Sequence, residues 1–241
     1  MTTRERRPQM VLDRELNLEE GEMLLVNKPK GWTSFDVVNK IRSIFHLRKI
    51  GHAGTLDPLA TGLLIVCTGK MTREIDRYQA EGKEYDATIL LGARTASFDA
   101  ETPVIEWRST DGLTVESVRS ALSGFVGYQT QLPPMWSAAK VRGKRLYKYA
   151  KKGIEVERRP REILISSVEP TSIDLPHVRF TVVCSKGTYI RTLADDIGRK
   201  LGCGAYLESL TRTRIGPYRL ADAWSVDDLV QYRADRQRQR L

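Results

Sequence analysis

Cysteine is scarce in this chain, and what there is does not pair: Cys67, Cys184 and Cys203 are odd in number and far apart. Such usage suits reduced thiols in a core better than a disulfide framework or a zinc site. Histidine is equally rare, with His46, His52 and His177 too dispersed to build a metal cluster. No apolar run approaches the roughly 18 residues of a membrane span. The charged residues 1–8 have no apolar stretch behind them, so they do not read as a secretory signal. A GxGxxG fingerprint and a P-loop are also missing, which disfavours a doubly wound nucleotide fold. What remains is a cytoplasmic globular protein of 241 residues, long enough for one large domain or one domain with a small appendage.

What the chain does have is positive charge in one place. Its net charge is +9, and residues 140–161 hold ten Lys or Arg against two Glu, +8 in that segment alone. Clustering of this kind is what a phosphate backbone attracts. A solvated basic face is the plainer alternative. Here Trp136, Tyr147 and Tyr149 are interleaved with the charge, as expected where bases or sugars are stacked upon.

Residues 1–20 are polar and read as a loose arm. A short strand is predicted over 23–27, and Thr33-Ser-Phe-Asp36 resembles a capping box opening a helix whose apolar face is Val37, Val38, Ile41, Ile44 and Phe45. The unbroken apolar run 63–67 reads as a buried strand, followed by a helix over 72–79. In the strand 84–91, Tyr85, Ala87, Ile89 and Leu91 share the inward face. Residues 92–103 read as a polar loop containing Asp99, and 114–122 as a helix with Val115, Val118 and Leu122 inside. An inserted, mobile element spans about 132–161. Strands are predicted at 163–168, 178–184 and 206–214, and a helix from about Tyr189 that stops near Gly202. Arg191 then falls in a first helical turn, where the macrodipole does not favour a cation, so it calls for an anionic partner. Ser225-Val-Asp-Asp228 is a further capping pattern. The order of elements gives an α+β fold with a mixed or antiparallel sheet.

One stretch, residues 51–64, organises the rest: Gly-His-Ala-Gly-Thr-Leu-Asp-Pro-Leu-Ala-Thr-Gly-Leu-Leu. Its glycines permit tight turns, Pro58 fixes the bond after Asp57, and the buried run behind it anchors the loop. Taken alone, Asp57 reads more readily as the cap of a short helical turn with Pro58 at its first position. Likewise His52 alone reads as a satisfied loop histidine, and Arg191 as half of a surface salt bridge.

Joined to Lys28-Pro-Lys-Gly31, Lys83-Glu-Tyr85, Leu91-Gly-Ala-Arg-Thr95, Pro133-Pro-Met-Trp-Ser-Ala-Ala-Lys140, Gly143-Lys-Arg-Leu-Tyr147, Cys184-Ser-Lys-Gly-Thr-Tyr-Ile-Arg-Thr192 and Leu201-Gly-Cys-Gly-Ala205, the pattern resembles the TruB-type tRNA pseudouridine-55 synthases over residues 23–215. The resemblance implies a pseudouridine synthase fold: a mixed, largely antiparallel sheet flanked by helices, with an inserted basic RNA-binding element. It implies a catalytic domain over 21–215 and a short extension over 216–241, too short for the family's usual RNA-binding PUA domain.

It also implies chemistry. Isomerising uridine breaks the N1–C1′ bond, turns the uracil and rejoins it through C5, with no redox change and no net hydrolysis, so no cofactor is required. The reaction needs a nucleophile, a group to take the C5 proton, and a dry pocket. By resemblance Asp57 is the nucleophile, Arg191 its paired cation, and Tyr85 the tyrosine packed on the base and implicated in the C5 proton transfer. Tyr189 and Leu210 complete the pocket wall, while His52 fills the space left by the flipped base. Lys28, Trp136, Lys144, Arg145 and Lys148 complete the expected substrate contacts, with the T arm of tRNA as partner and no obligate protein partner. Two other readings stay open: a non-catalytic RNA-binding or RNA-folding protein, and a guide-RNA-dependent synthase acting within a complex.

Overall fold

The computed structural model describes residues 15–141 and 143–239. In chain order they form β1 (Met23–Lys28), α1 (Ser34–Phe45), β2 (Ile50–Ala53), β3 (Thr61–Thr68), a 3₁₀ segment (Gly69–Glu74), α2 (Ile75–Ala80), β4 (Lys83–Leu91), β5 (Ala93–Thr95) and β6 (Val104–Trp107). There follow α3 (Val115–Ser123), β7 (Gly127–Gln131), β8 (Lys140–Val141), β9 (Lys144–Arg145), α4 (Leu146–Ala150), β10 (Arg161–Asp174), β11 (His177–Cys184), α5 (Ile190–Lys200), β12 (Ala205–Ile215), β13 (Tyr218–Arg219) and α6 (Val226–Arg238). The architecture is α+β with a mixed, mostly antiparallel sheet, and the described residues divide into two compact units: those up to 83 together with those from 211 on, and those between 84 and 210.

In the first unit β3 pairs antiparallel with β1 and β2, and parallel with β12, where Thr211 lies opposite Thr61 and Arg212 opposite Gly62. Both faces of β3 are covered. Leu64 and Val66 join Leu24, Val26, Val37, Ile41, Trp224 and Leu229 on one side, while Leu63, Ile65 and Cys67 join Leu25, Ala53, Tyr78 and Ile215 on the other. A strand covered twice has no polar face to show, hence its unbroken apolar sequence. Of the arm expected over 1–20, residues 1–14 lie outside the described residues. In the remainder Leu18 is in the core and Leu16 packs against it, while Glu15, Asn17, Glu19 and Glu20 are exposed. At the other end Trp224, Val226 and Leu229, in the expected extension, belong to that same core.

Thr33, Thr114 and Ser225 each close a capping box, satisfying N-terminal amides of α1, α3 and α6 through Asp36, Ser117 and Asp228. In the second unit the strand order is β12-β4-β11-β10-β7, with α3 packed on β10 and against α5. β4 alternates as its sequence predicts: Tyr85, Ala87, Ile89 and Leu91 are buried. Two expectations here give way. Residues 92–103, expected as a polar loop, begin instead with β5 paired to β6, and Ser97 and Asp99 beyond it are buried. Val115, expected inside α3, is 38% exposed, since it occupies the first turn and Ala121 completes the inner face with Val118 and Leu122.

Candidate active site

Asp57 stands, partly buried, in the loop between β2 and β3, and its neighbours are pinned from three directions. Ser34, 2% exposed at the start of α1, holds Leu56 twice: its Oγ accepts from the Leu56 N–H at 2.9 Å and donates to the Leu56 carbonyl at 3.2 Å. The Pro58 carbonyl, on the other side, accepts from the Gly31 N–H at 2.8 Å and from the Lys28 ammonium at 3.2 Å. The Asp57 carbonyl closes the turn by accepting from the Ala60 N–H. Backbone fixed on both sides of one residue holds the base of its carboxylate in place.

Two buried cations underlie this loop. Lys28 is fully buried, and its ammonium also donates to the carbonyls of Pro29 and Trp32. Burial pushes its pKa down to about 8, with Arg212 adding to the fall while Asp57 and Asp36 oppose it. Arg212, 1% exposed, donates from Nε to the Leu63 carbonyl at 2.7 Å and from Nη2 to the Gly54 carbonyl at 3.0 Å, at the two ends of the loop. His52 is held below its ordinary pKa by burial and then by Arg212, which favours the neutral ring, and its buried Nδ1 has no hydrogen-bond partner among the described residues.

The second unit holds Tyr85, Tyr189, Arg191 and Leu210. Arg191 is buried in the first turn of α5 and finds the anionic partner its position calls for in buried Asp99, at 3.8 Å, with the Ser97 carbonyl at 3.5 Å from the same nitrogen. Asp99 is itself fixed: its carboxylate accepts from the Glu101 N–H, and its carbonyl accepts from Thr95 and Ser97 hydroxyls. Tyr189, the residue before α5, has its backbone bracketed by buried Gln131, whose amide donates to the Tyr189 carbonyl at 3.0 Å and accepts from its N–H at 2.7 Å. Tyr85 is buried on the inner face of β4, and Leu210 is half-buried on β12.

Trp136, Lys144, Arg145 and Lys148 lie on the basic insertion. Leu146, 1% exposed, anchors it, while Lys144, Arg145 and Lys148 are exposed and Trp136 is half-buried. The structure thus gathers Lys28, His52 and Asp57 in one unit and Tyr85, Tyr189, Arg191 and Leu210 in the other. Sequence reasoning missed Ser34, Gln131 and Arg212 and gave Asp99 no role. Asp99 alone had a signal, an acid in a segment rich in small polar residues. No group of three or more His, Cys, Asp or Glu that could hold a metal occurs among the described residues.

The family model for the N-terminal domain of TruB pseudouridylate synthases matches residues 42–190, and that for the C-terminal domain of tRNA pseudouridylate synthase B matches 191–241. The tRNA pseudouridine synthase B of Phocaeicola vulgatus is 48% identical over 225 residues, 90% of this chain and 95% of its own length. That of Parabacteroides distasonis is 50% identical over 218 residues, 88% and 93%. Among solved structures, a chain of a Cbf5-Nop10-Gar1 complex is similar with a TM-score of 0.74 at 31% identity, over 93% of this chain and 57% of that one. Matched by both models across residues 42–241, and about half identical to relatives of nearly its own span, the chain belongs to the TruB family of pseudouridylate synthases, the isomerases that make pseudouridine 55 in tRNA.

Proposed function

We propose that this chain carries out the isomerisation in the cytoplasm on the T arm of tRNA, without an obligate protein partner, using Asp57 as nucleophile on a flipped-out uridine. What carries the reading is the bracketing of Asp57, with Leu56 pinned by Ser34 and Pro58 pinned by Gly31 and Lys28. A carboxylate so placed can attack without first losing conformational freedom. Asp57 bonds to C1′ as the N1–C1′ bond breaks, the ring turns, C5 bonds to C1′ as the carboxylate leaves, and the C5 proton is lost as N1 gains one, so the formula is unchanged and the enzyme is restored. Arg191 serves as the cation of the carboxylate, Tyr85 packs on the base and takes part in the C5 proton transfer, and Tyr189 and Leu210 wall the pocket. His52 enters the RNA where the base has left, a role for which a neutral ring with a ring nitrogen to spare is suited. The catalytic body is residues 21–215, the insertion at about 132–161 grips the T arm, and no cofactor takes part.

The test is tritium release from 5-tritiated uridine in a T-arm stem-loop. Asp57→Asn keeps the shape and removes the nucleophile, so it should bind RNA as the parent does and release no tritium. Near-normal release would sink the assignment. The likeness to Cbf5 favours one other reading, catalysis within a guide-RNA assembly like the H/ACA complexes in which Cbf5 is solved. Turnover of the bare stem-loop by purified protein separates the two, because a guide-dependent enzyme leaves that substrate untouched.

A further inference from the structure

We propose that Arg212 is a positioning residue for the isomerisation, holding both ends of the Asp57 loop so that the carboxylate is presented in one place. The inference rests on Asp57 as the nucleophile. Gly54 is the first residue after β2, and Leu63 lies just inside β3, so the two carbonyls that Arg212 binds bracket every residue of the loop. One rigid planar group donating in two directions fixes the span between them, which two separate side chains would not. The backbone of Arg212 is itself locked against the same segment. It pairs with Gly62, whose φ is +101°, and a Cβ at position 62 would lie 2.4 Å from the Arg212 carbonyl oxygen and 2.7 Å from its nitrogen. The neighbouring hydroxyls of Thr61 and Thr211 meet at 2.9 Å. The strand pair therefore cannot slide, and the guanidinium sets the loop from a fixed base.

A guanidinium is a costly way to fill this position. Burying a guanidinium carries a desolvation cost that an apolar side chain does not, and here its donors are spent on the Leu63 and Gly54 carbonyls. Simple strand packing therefore does not account for it, whereas holding two carbonyls does. Arg212 is also close enough to Lys28 and His52 to lower both electrostatically. The loop thus rests on two buried cations, and Asp57 is attracted to at least one, since its charge raises the affinity of Lys28 for its proton.

The experiment compares Arg212→Gln, Arg212→Lys and Leu229→Ala with the parent on the T-arm stem-loop, below every Tm. Leu229 is a fully buried core residue of the same unit on α6, so its truncation destabilises without touching the loop. A carboxylate misplaced by about 1 Å loses about 100-fold, so kcat of Arg212→Gln should fall by about that factor. KM should move by less than about threefold, because ground-state RNA binding is not altered. Arg212→Lys, whose single nitrogen can satisfy one carbonyl only, should fall about tenfold, between the two. Leu229→Ala should keep kcat. If Arg212→Gln does not fold, Arg212→Lys decides the matter, since it keeps the charge and most of the volume. A kcat within about twofold of the parent in either folded Arg212 variant, or a loss no larger than that of Leu229→Ala, overturns the inference. An inactive Asp57→Asn beside fully active Arg212 variants would refute this inference alone, whereas an active Asp57→Asn would refute the nucleophile itself.

Discussion

Lys28 holds three carbonyls with one ammonium, and its charge makes that arrangement depend on pH. Burial, reinforced by Arg212, brings its pKa down from 10.5 to about 8. A folded value below the unfolded one means the ionised form opposes folding, fully so below about 8. That opposition fades as pH rises from about 8 towards 10.5, where the folded protein has released a proton that the unfolded chain still holds. Lys28→Met removes the group and with it the pH dependence. The difference in urea midpoint between parent and variant should therefore move in the parent's favour across this window, and a difference that stays flat would show that Lys28 does not titrate there. Above pH 8 the neutral amine has two hydrogens for three carbonyls, so the loop loses a bond as stability rises. Turnover and stability are thus expected to diverge with pH, which a general loosening of the fold would not produce.

Helix α5 shows how close an approach the elements require. A Cβ on Gly198 would lie 2.1 Å from the Ala205 nitrogen and 2.3 Å from the Gly204 carbonyl carbon, backbone atoms that cannot swing aside. Gly198→Ala would force the helix off its neighbour and disturb Arg191 and Tyr189 at its start, at a cost of about 3 kcal/mol or more. A Tm within a degree or two of the parent by circular dichroism would show that this contact relaxes freely. The elements that sequence reasoning located are those whose signal is local. The capping boxes at Thr33 and Ser225 need four residues, the alternation in β4 needs eight, and the run in β3 announces burial on both faces. The elements it missed owe their form to partners far along the chain. β2 and β5 are too short to show a period, and Asp99 is buried because Arg191, over ninety residues later, sits against it. The site divides in the same way. Asp57 stands in a stretch whose glycines and proline announce a special loop, whereas Ser34, Gln131 and Arg212 look like ordinary polar residues until the fold brings carbonyls and amides to them.

For the molecule as a whole the governing quantity is where its charge resides. Of a net +9, residues 140–161 carry +8, and the structure turns Lys144, Arg145 and Lys148 outward while Leu146 between them is 1% exposed. The apolar anchor and the charges are therefore separable: removing the three cations leaves the contact that seats the insertion. Ten like charges within 22 residues repel one another, so the segment gains order when phosphates neutralise it and is expected to close over the T arm on binding. Each phosphate contact releases counterions, and losing one lowers the slope of log K against log salt by about 0.7 to 0.9. Replacing Lys144, Arg145 and Lys148 together by Ala should flatten that slope by about two to three units. KM should rise, and kcat on saturating RNA should change little, because none of the three supports the Asp57 loop. Binding isotherms at four salt concentrations and hydrogen exchange over 132–161, with and without stem-loop, test both halves. A triple variant with the parent's slope, or a segment equally protected in free and bound protein, would mean that the basic face is merely solvated and that RNA is gripped elsewhere.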